Sequence, residues 1–148
     1  MTDAPIIAFL AGDGVDASGR RFADVLAFDD AALERHHDFI QWLFPLDEIS
    51  RAVPGSPVLN VGAIGKIKAS AVARARMEAA AERMLAFYDA TTAWRQTFDH
   101  NHLRITRIIK SLRLLVDDDA ADRFKRDIIA RAADAPIDAR AREFWERA

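Results

Sequence analysis

The chain has 148 residues, of which 51% are hydrophobic and 30% charged, with a formal net charge of -2. That length and balance suit one globular domain able to bury roughly 68–70% of its unfolded surface, and they argue against a disordered chain except at the ends. A charge so near neutrality argues against bulk attraction to nucleic acid or an anionic membrane, and the lack of cysteine removes disulfides, thiolate metal sites and cysteine nucleophiles.

Pro5 to Ala11 reads as a short apolar helix, with Thr2 or Asp3 as its cap and Gly12 and Gly14 as its end. No basic stretch precedes it, and no later apolar run nears the roughly 18 residues of a membrane span, so a cytoplasmic protein without a transmembrane segment is expected. A turn around Gly19 leads into Arg20 to Phe28, where Phe22, Val25 and Leu26 stand at helical spacing. Asp29 or Asp30 caps a third helix, expected to run unbroken to Phe44, where Pro45 disfavours helical geometry in the residue before it.

Serine, proline and glycine between Leu46 and Pro57 make the longest loop. Asn60 then caps a helix to Lys68, and Ser70 begins an alanine-rich helix to about Tyr88. Trp94 lies in a link. Asp99 is a candidate cap for a helix to Val116, Asp117 starts another to about Ala133, and Pro136 or Asp138 starts a last one carrying Phe144 and Trp145. No alternating β-branched run competes with these periods, and no solenoid repeat is visible. The expected fold is all-α, a compact orthogonal bundle of about seven or eight helices in a single domain over residues 1–148.

All four histidines fall in two short segments, HHDFIQWLFP at residues 36–45 and DHNHLRITRIIKSLR at residues 99–113. Projected as one helix, residues 29–44 put Leu33, Phe39, Ile40, Leu43 and Phe44 on a broad apolar arc, with His36 inside it and His37 at its edge. One of that pair should then be buried. Trp42 falls in the opposite arc beside Asp38 and Gln41, either covered by a neighbouring element or forming with them the floor of a ligand site.

In the second segment His100, Arg104, Arg107 and Ser111 share one arc, and four cations with no acid lie between His100 and Val116. Guanidinium groups so placed either pair with neighbouring acids or bind an anion or carboxylate, while the footprint is small for nucleic acid. The histidine and carboxylate types also allow a metal-dependent hydrolase using His36, His37 and Asp38 with His100 and His102. Adjacent histidines diverge by about 100° on a helix, however, and no spaced helical ligand pair is present. A buried polar network joining His37 or Asp38 to Asn101, His102 or Arg104 is the structural alternative.

These segments, with IAFLAG at residues 7–12, the stretch at residues 84–88 and Phe144-Trp145, closely resemble the conserved domain of the opioid growth factor receptor family over nearly the whole chain. His36 and Asp99 depart from its pattern. The resemblance implies an α-helical domain, no catalytic residues, and receptor activity toward the pentapeptide Met-enkephalin with nuclear association in animal members. The expectation is therefore a non-enzymatic binding module without cofactor or metal, taking a peptide-like or anionic ligand. Its site would join Asp38, Gln41 and Trp42 to His100, Arg104 and Arg107, with His37, Asn101 and His102 as structural polar groups. A metal hydrolase, or weak nucleic-acid binding through residues 104–113, is the alternative.

Overall fold

The computed structural model describes residues 4–148, so the proposed caps Thr2 and Asp3 lie outside the described residues. Among the described residues the chain is helical and has no sheet, and its elements are joined by two isolated bridges, Val15 with Arg21 and Leu46 with Val58. The helices are α1 (Ala4–Ala11), α2 (Phe22–Leu26), α3 (Asp30–Arg35), α4 (Ile40–Leu43), α5 (Val61–Ala69), α6 (Ala71–Ala90), α7 (Asn101–Leu115), α8 (Asp118–Arg131) and α9 (Ala139–Arg147). A 3-10 turn at Ala93–Arg95 links α6 to α7.

Most boundaries follow local chemistry. The side chains of Asp29, Asn60, Ser70, Asp117 and Asp138 accept backbone N–H groups of the helices they precede, so each supplies an acceptor for an otherwise unpaired amide. Trp94 closes the other end of α6 by donating its indole N–H to the Tyr88 carbonyl at 2.8 Å and the Thr91 carbonyl at 3.1 Å. The amphipathic α7 packs on α8 and α9, while α6 touches α1, α5, α7 and α8, so these two long helices form the centre of the bundle. Their Met77, Met84, Phe87, Tyr88, Ile105, Ile108, Ile109 and Leu112 are all buried in the core.

One expected helix is divided, which raises the number among the described residues to nine. α3 stops at Arg35, His36 adopts extended φ and ψ of -82° and 136°, and α4 begins only at Ile40. The break changes every side-chain direction beyond it. Residues 39–46 are all buried, with no polar face, so the helical projection that placed Trp42 in a polar arc does not apply. Nor is either adjacent histidine buried: His36 is half-buried and stacks on Phe28 at 5.1 Å, and His37 is exposed.

The break has two tertiary causes. Asp38 leaves the helical path to accept hydrogen bonds from Ser18 Oγ at 2.8 Å and from the Arg20 guanidinium at 2.9 Å, which ties it to the turn at residues 16–20. Arg20 also donates to Asp16 at 2.7 Å, and Gly19 turns the chain there with φ of 79°. Burial acts to raise the Asp38 carboxyl, but the hydrogen bonds from Ser18 and Arg20 outweigh it and hold the group below the usual carboxylate range. A carboxyl lowered in the folded state stabilises it above the ordinary value, and that contribution disappears as pH falls through the folded value. Asp38→Asn is therefore expected to lower the unfolding free energy read from urea melts at pH 7, by the order of 1 kcal/mol or less for so exposed a pair, and the difference should shrink as pH falls below the ordinary carboxylate range. A difference that does not change with pH would remove the carboxylate as the cause.

The second cause is α7. Arg104 donates to the Leu33 carbonyl at 2.8 Å and the His36 carbonyl at 2.6 Å, Arg107 Nε to the Phe44 carbonyl at 2.9 Å, and Ser111 Oγ to the Pro45 carbonyl at 2.7 Å. Leu59 N–H serves the Leu46 carbonyl at 2.9 Å. The arc of α7 that carries Arg104, Arg107 and Ser111 is thus a row of donors for the ends of α3 and α4, where unpaired carbonyls and the helix dipole favour cations.

Candidate functional site

The two histidine-bearing segments face one another, and a cleft of about 810 Å³ lies beside their junction. His100, Leu103, Arg104, Arg107 and Lys110 of α7 line one side. His37, Ile40 and Gln41 line another, and the loop from Leu46 to Ala52 completes it, with Ile49 exposed at its edge. A second cavity of about 540 Å³ adjoins it through the shared residues Leu46, Thr106 and Lys110 and extends to Arg113 and Phe144. The two make a trough along one side of α7.

Gln41, His100, Arg104 and Arg107 of the expected site come together in this cleft. Trp42 and Asp38 do not line it. Trp42 is 9% exposed and meets the Phe9 ring edge-on at 5.6 Å, while Asp38 is engaged by Arg20 and Ser18. What covers the indole is α1. The expected ligand floor of Asp38, Gln41 and Trp42 therefore reduces to Gln41.

Arg104 also differs from a free anion receptor. The residue is 7% exposed, and its guanidinium holds two carbonyls, approaches Asn101 Oδ1 at 3.3 Å and lies over the Phe39 ring at 5.2 Å. Lys110 pairs with Glu48 at 2.9 Å and Arg113 with Asp118 and Asp122 at 2.9 and 2.7 Å. The cations of residues 104–113 are thus spent on carbonyls and local acids, which leaves little of the basic stripe for a nucleic acid backbone.

Arg107 is the exception. Its Nε holds the Phe44 carbonyl, but Nη2 is buried without a partner, and Gln41 Oε1 is buried without a donor. Burial pushes the Arg107 guanidinium down to about 10, and only the Glu48 carboxylate opposes that shift. The cleft therefore carries one unmatched donor and one unmatched acceptor, an arrangement that costs about 1–3 kcal/mol per group until a partner arrives.

A buried polar network surrounds Asn101, but neither His37 nor Asp38 belongs to it. Asn101 is buried and donates through Nδ2 to Glu34 at 3.1 Å and Asp99 at 2.8 Å, while its Oδ1 meets Tyr88 Oη and Arg104 Nη1, each at 3.3 Å. His102 is buried elsewhere, its Nε2 at 2.7 Å from the Trp94 carbonyl and its ring edge-on to Trp145 at 5.7 Å. His37 joins neither group and instead meets the His100 ring at 5.0 Å. The metal-ligand set weighed from the sequence disperses: His36 is stacked on Phe28, Asp38 is paired with Arg20 and His102 is held in the core. Glu34 was missed, because on an unbroken helix it belongs to the solvent arc and nothing local marks it.

Fold and site together define a class: an all-α domain in which a short histidine-bearing segment is fastened by its carbonyls to one basic helix beside a cleft of ligand size. The Opioid growth factor receptor (OGFr) conserved region matches residues 20–125, which contain both fastened segments, and the chain belongs to that family. It is 37% identical over 98 residues to the opioid growth factor receptor of Mus musculus, covering 54% of this chain and 15% of that protein. The corresponding receptor of Homo sapiens is 36% identical over 98 residues, covering 54% of this chain and 14% of the receptor. The match thus spans under one fifth of those relatives' length. No solved structure matches the chain. Among the described residues no helix is long and apolar enough to cross a membrane.

Proposed function

We propose that the chain is a non-enzymatic binding module whose cleft between α4, the loop at residues 46–52 and α7 takes a peptide-like ligand through a carboxylate. The observation that carries this is the pair of unmatched buried atoms, Arg107 Nη2 and Gln41 Oε1, on residues lining one cleft. A peptide terminus offers an anionic acceptor for the guanidinium and a backbone N–H for the amide oxygen, and no other arrangement of its main chain is needed. The apolar surfaces of Ile40, Leu46 and Leu103 suit side chains of such a ligand, and the trough along α7 accommodates an extended chain. Both unmatched atoms are sealed from solvent, so entry requires a rearrangement of the side chains or loop around the cleft. The relatives' name as growth factor receptors agrees with ligand recognition.

Titration calorimetry with Met-enkephalin, the pentapeptide implied by the family resemblance, tests this reading. Binding is expected with the free carboxylate, and the C-terminally amidated peptide is expected to bind about tenfold or more weakly, since a charged hydrogen bond is worth roughly 1.5–3 kcal/mol. Equal affinities, or no heat with either peptide, would defeat the proposal.

A further inference from the structure

We propose that residues 47–57 form a lid over the cleft, latched by the ion pair between Glu48 and Lys110. Both ends of this segment are fixed. Arg107 and Ser111 hold the Phe44 and Pro45 carbonyls, the buried Leu46 and Leu59 are joined by the Leu59 N–H at 2.9 Å from the Leu46 carbonyl, and Asn60 caps α5. The chain therefore leaves the body and re-enters it at one narrow neck, the form of a compact Ω-loop.

Beyond that neck the loop is bonded mainly to itself. Val53 N–H donates to Ser50 Oγ at 3.2 Å, and Ser56 donates to the Val53 carbonyl through its N–H at 3.3 Å and its Oγ at 2.6 Å. Gly55 makes the turn with φ of 86°, and a Cβ there would meet nothing within 4 Å. Ile49, the largest apolar side chain of the segment, is 76% exposed, so its burial does not anchor the loop. Among the described residues, the one polar tie from 47–57 to the rest of the molecule is Lys110 Nζ, which donates to both Glu48 carboxylate oxygens at 2.9 Å.

The loop also brings its own anion to the cleft. Glu48 is the one carboxylate among the described residues that line it, alongside the cations of Arg51, Arg104, Arg107 and Lys110. Breaking the latch thus withdraws a wall and the resident anion together. The two side chains of the pair are 38% and 55% exposed, so it holds the loop only lightly. The lid rests on the ligand reading above for its purpose, since the latch sets the fraction of molecules open to a ligand. Its motion does not depend on that reading and is measured in the free chain.

The chain has no cysteine, so Gln41→Cys places a single thiol in the cleft, and its rate of labelling by a thiol reagent reports how often the lid is open. In the ligand-free chain that rate is expected to be at least about tenfold faster than at Met84→Cys, a fully buried position that global unfolding exposes. Adding Glu48→Gln or Lys110→Met to Gln41→Cys should speed labelling about 1.5- to 5-fold, with no further gain when the two are combined. Salt at about 1 M should do the same to the Gln41→Cys chain, but not once Glu48→Gln is present. Arg51→Gln, which removes a charge from the same loop and spares the latch, should have little effect. Circular dichroism checks that each variant is folded. Equal rates at the two thiol positions, or a Gln41→Cys rate indifferent to loss of the latch, would overturn the lid. Failure of Met-enkephalin to bind would leave these rates as they are and defeat only the proposed function.

Discussion

Arg104→Ala is expected to lower the unfolding free energy by about 3 kcal/mol, read from equilibrium urea denaturation. The substitution leaves the Leu33 carbonyl without a donor in the interior, at a cost of about 1–3 kcal/mol, and the His36 carbonyl without one at a partly buried position, where the cost is smaller. It also removes the cation over the Phe39 ring. Relief from the desolvation of a buried charge acts in the opposite direction; burial lowers the Arg104 guanidinium, and Tyr88, Glu34 and Asp99 only partly counter it. Lysine should rescue little, because one ammonium on a flexible stem lacks the fork that reaches two carbonyls at once. A loss within about 0.5 kcal/mol, as for an ordinary surface residue, would mean that α3 and α4 do not depend on this clamp.

Trp42→Ala should cost about 3–5 kcal/mol, the range for emptying a buried aromatic site. The indole fits between α4 and α1 against Phe9, which itself packs on Phe22 at 5.7 Å, so collapse around the vacancy is restricted. Trp42→Phe should recover most of the loss. Urea and thermal melts of the three proteins distinguish this packing role from a ligand floor, for which alanine would be nearly neutral in the free protein.

The chain's helix starts are legible because their causes are local: Asn60, Ser70, Asp117 and Asp138 each carry an acceptor one residue before the helix they cap. The long period of α7 likewise identifies its core face and the arc shared by Arg104, Arg107 and Ser111. The purpose of that arc is not legible, since its partners are backbone carbonyls with no side-chain signature. Residues 30–44 contain no glycine or proline to announce an interruption. What divides α3 from α4 is the demand of Arg20 for Asp38 and of Arg104 for two carbonyls, both long-range. The candidate site inherits that limit. Gln41, His100 and Arg107 were recognisable by type and proximity, but Trp42 and Asp38 were displaced by the break, and Glu34 was concealed by it.

The donors that α7 lends to residues 33–45 are separated from them by 63 to 71 positions along the chain. α3 and α4, of six and four residues, are too short to persist alone in water. The histidine-bearing segment therefore has no conformation of its own to adopt while the chain is being made; it waits until a loop of that length closes and α7 arrives. Segment and helix gain their order in one late event, and a fragment ending before α7 would carry the HHDFIQWLFP motif without its shape.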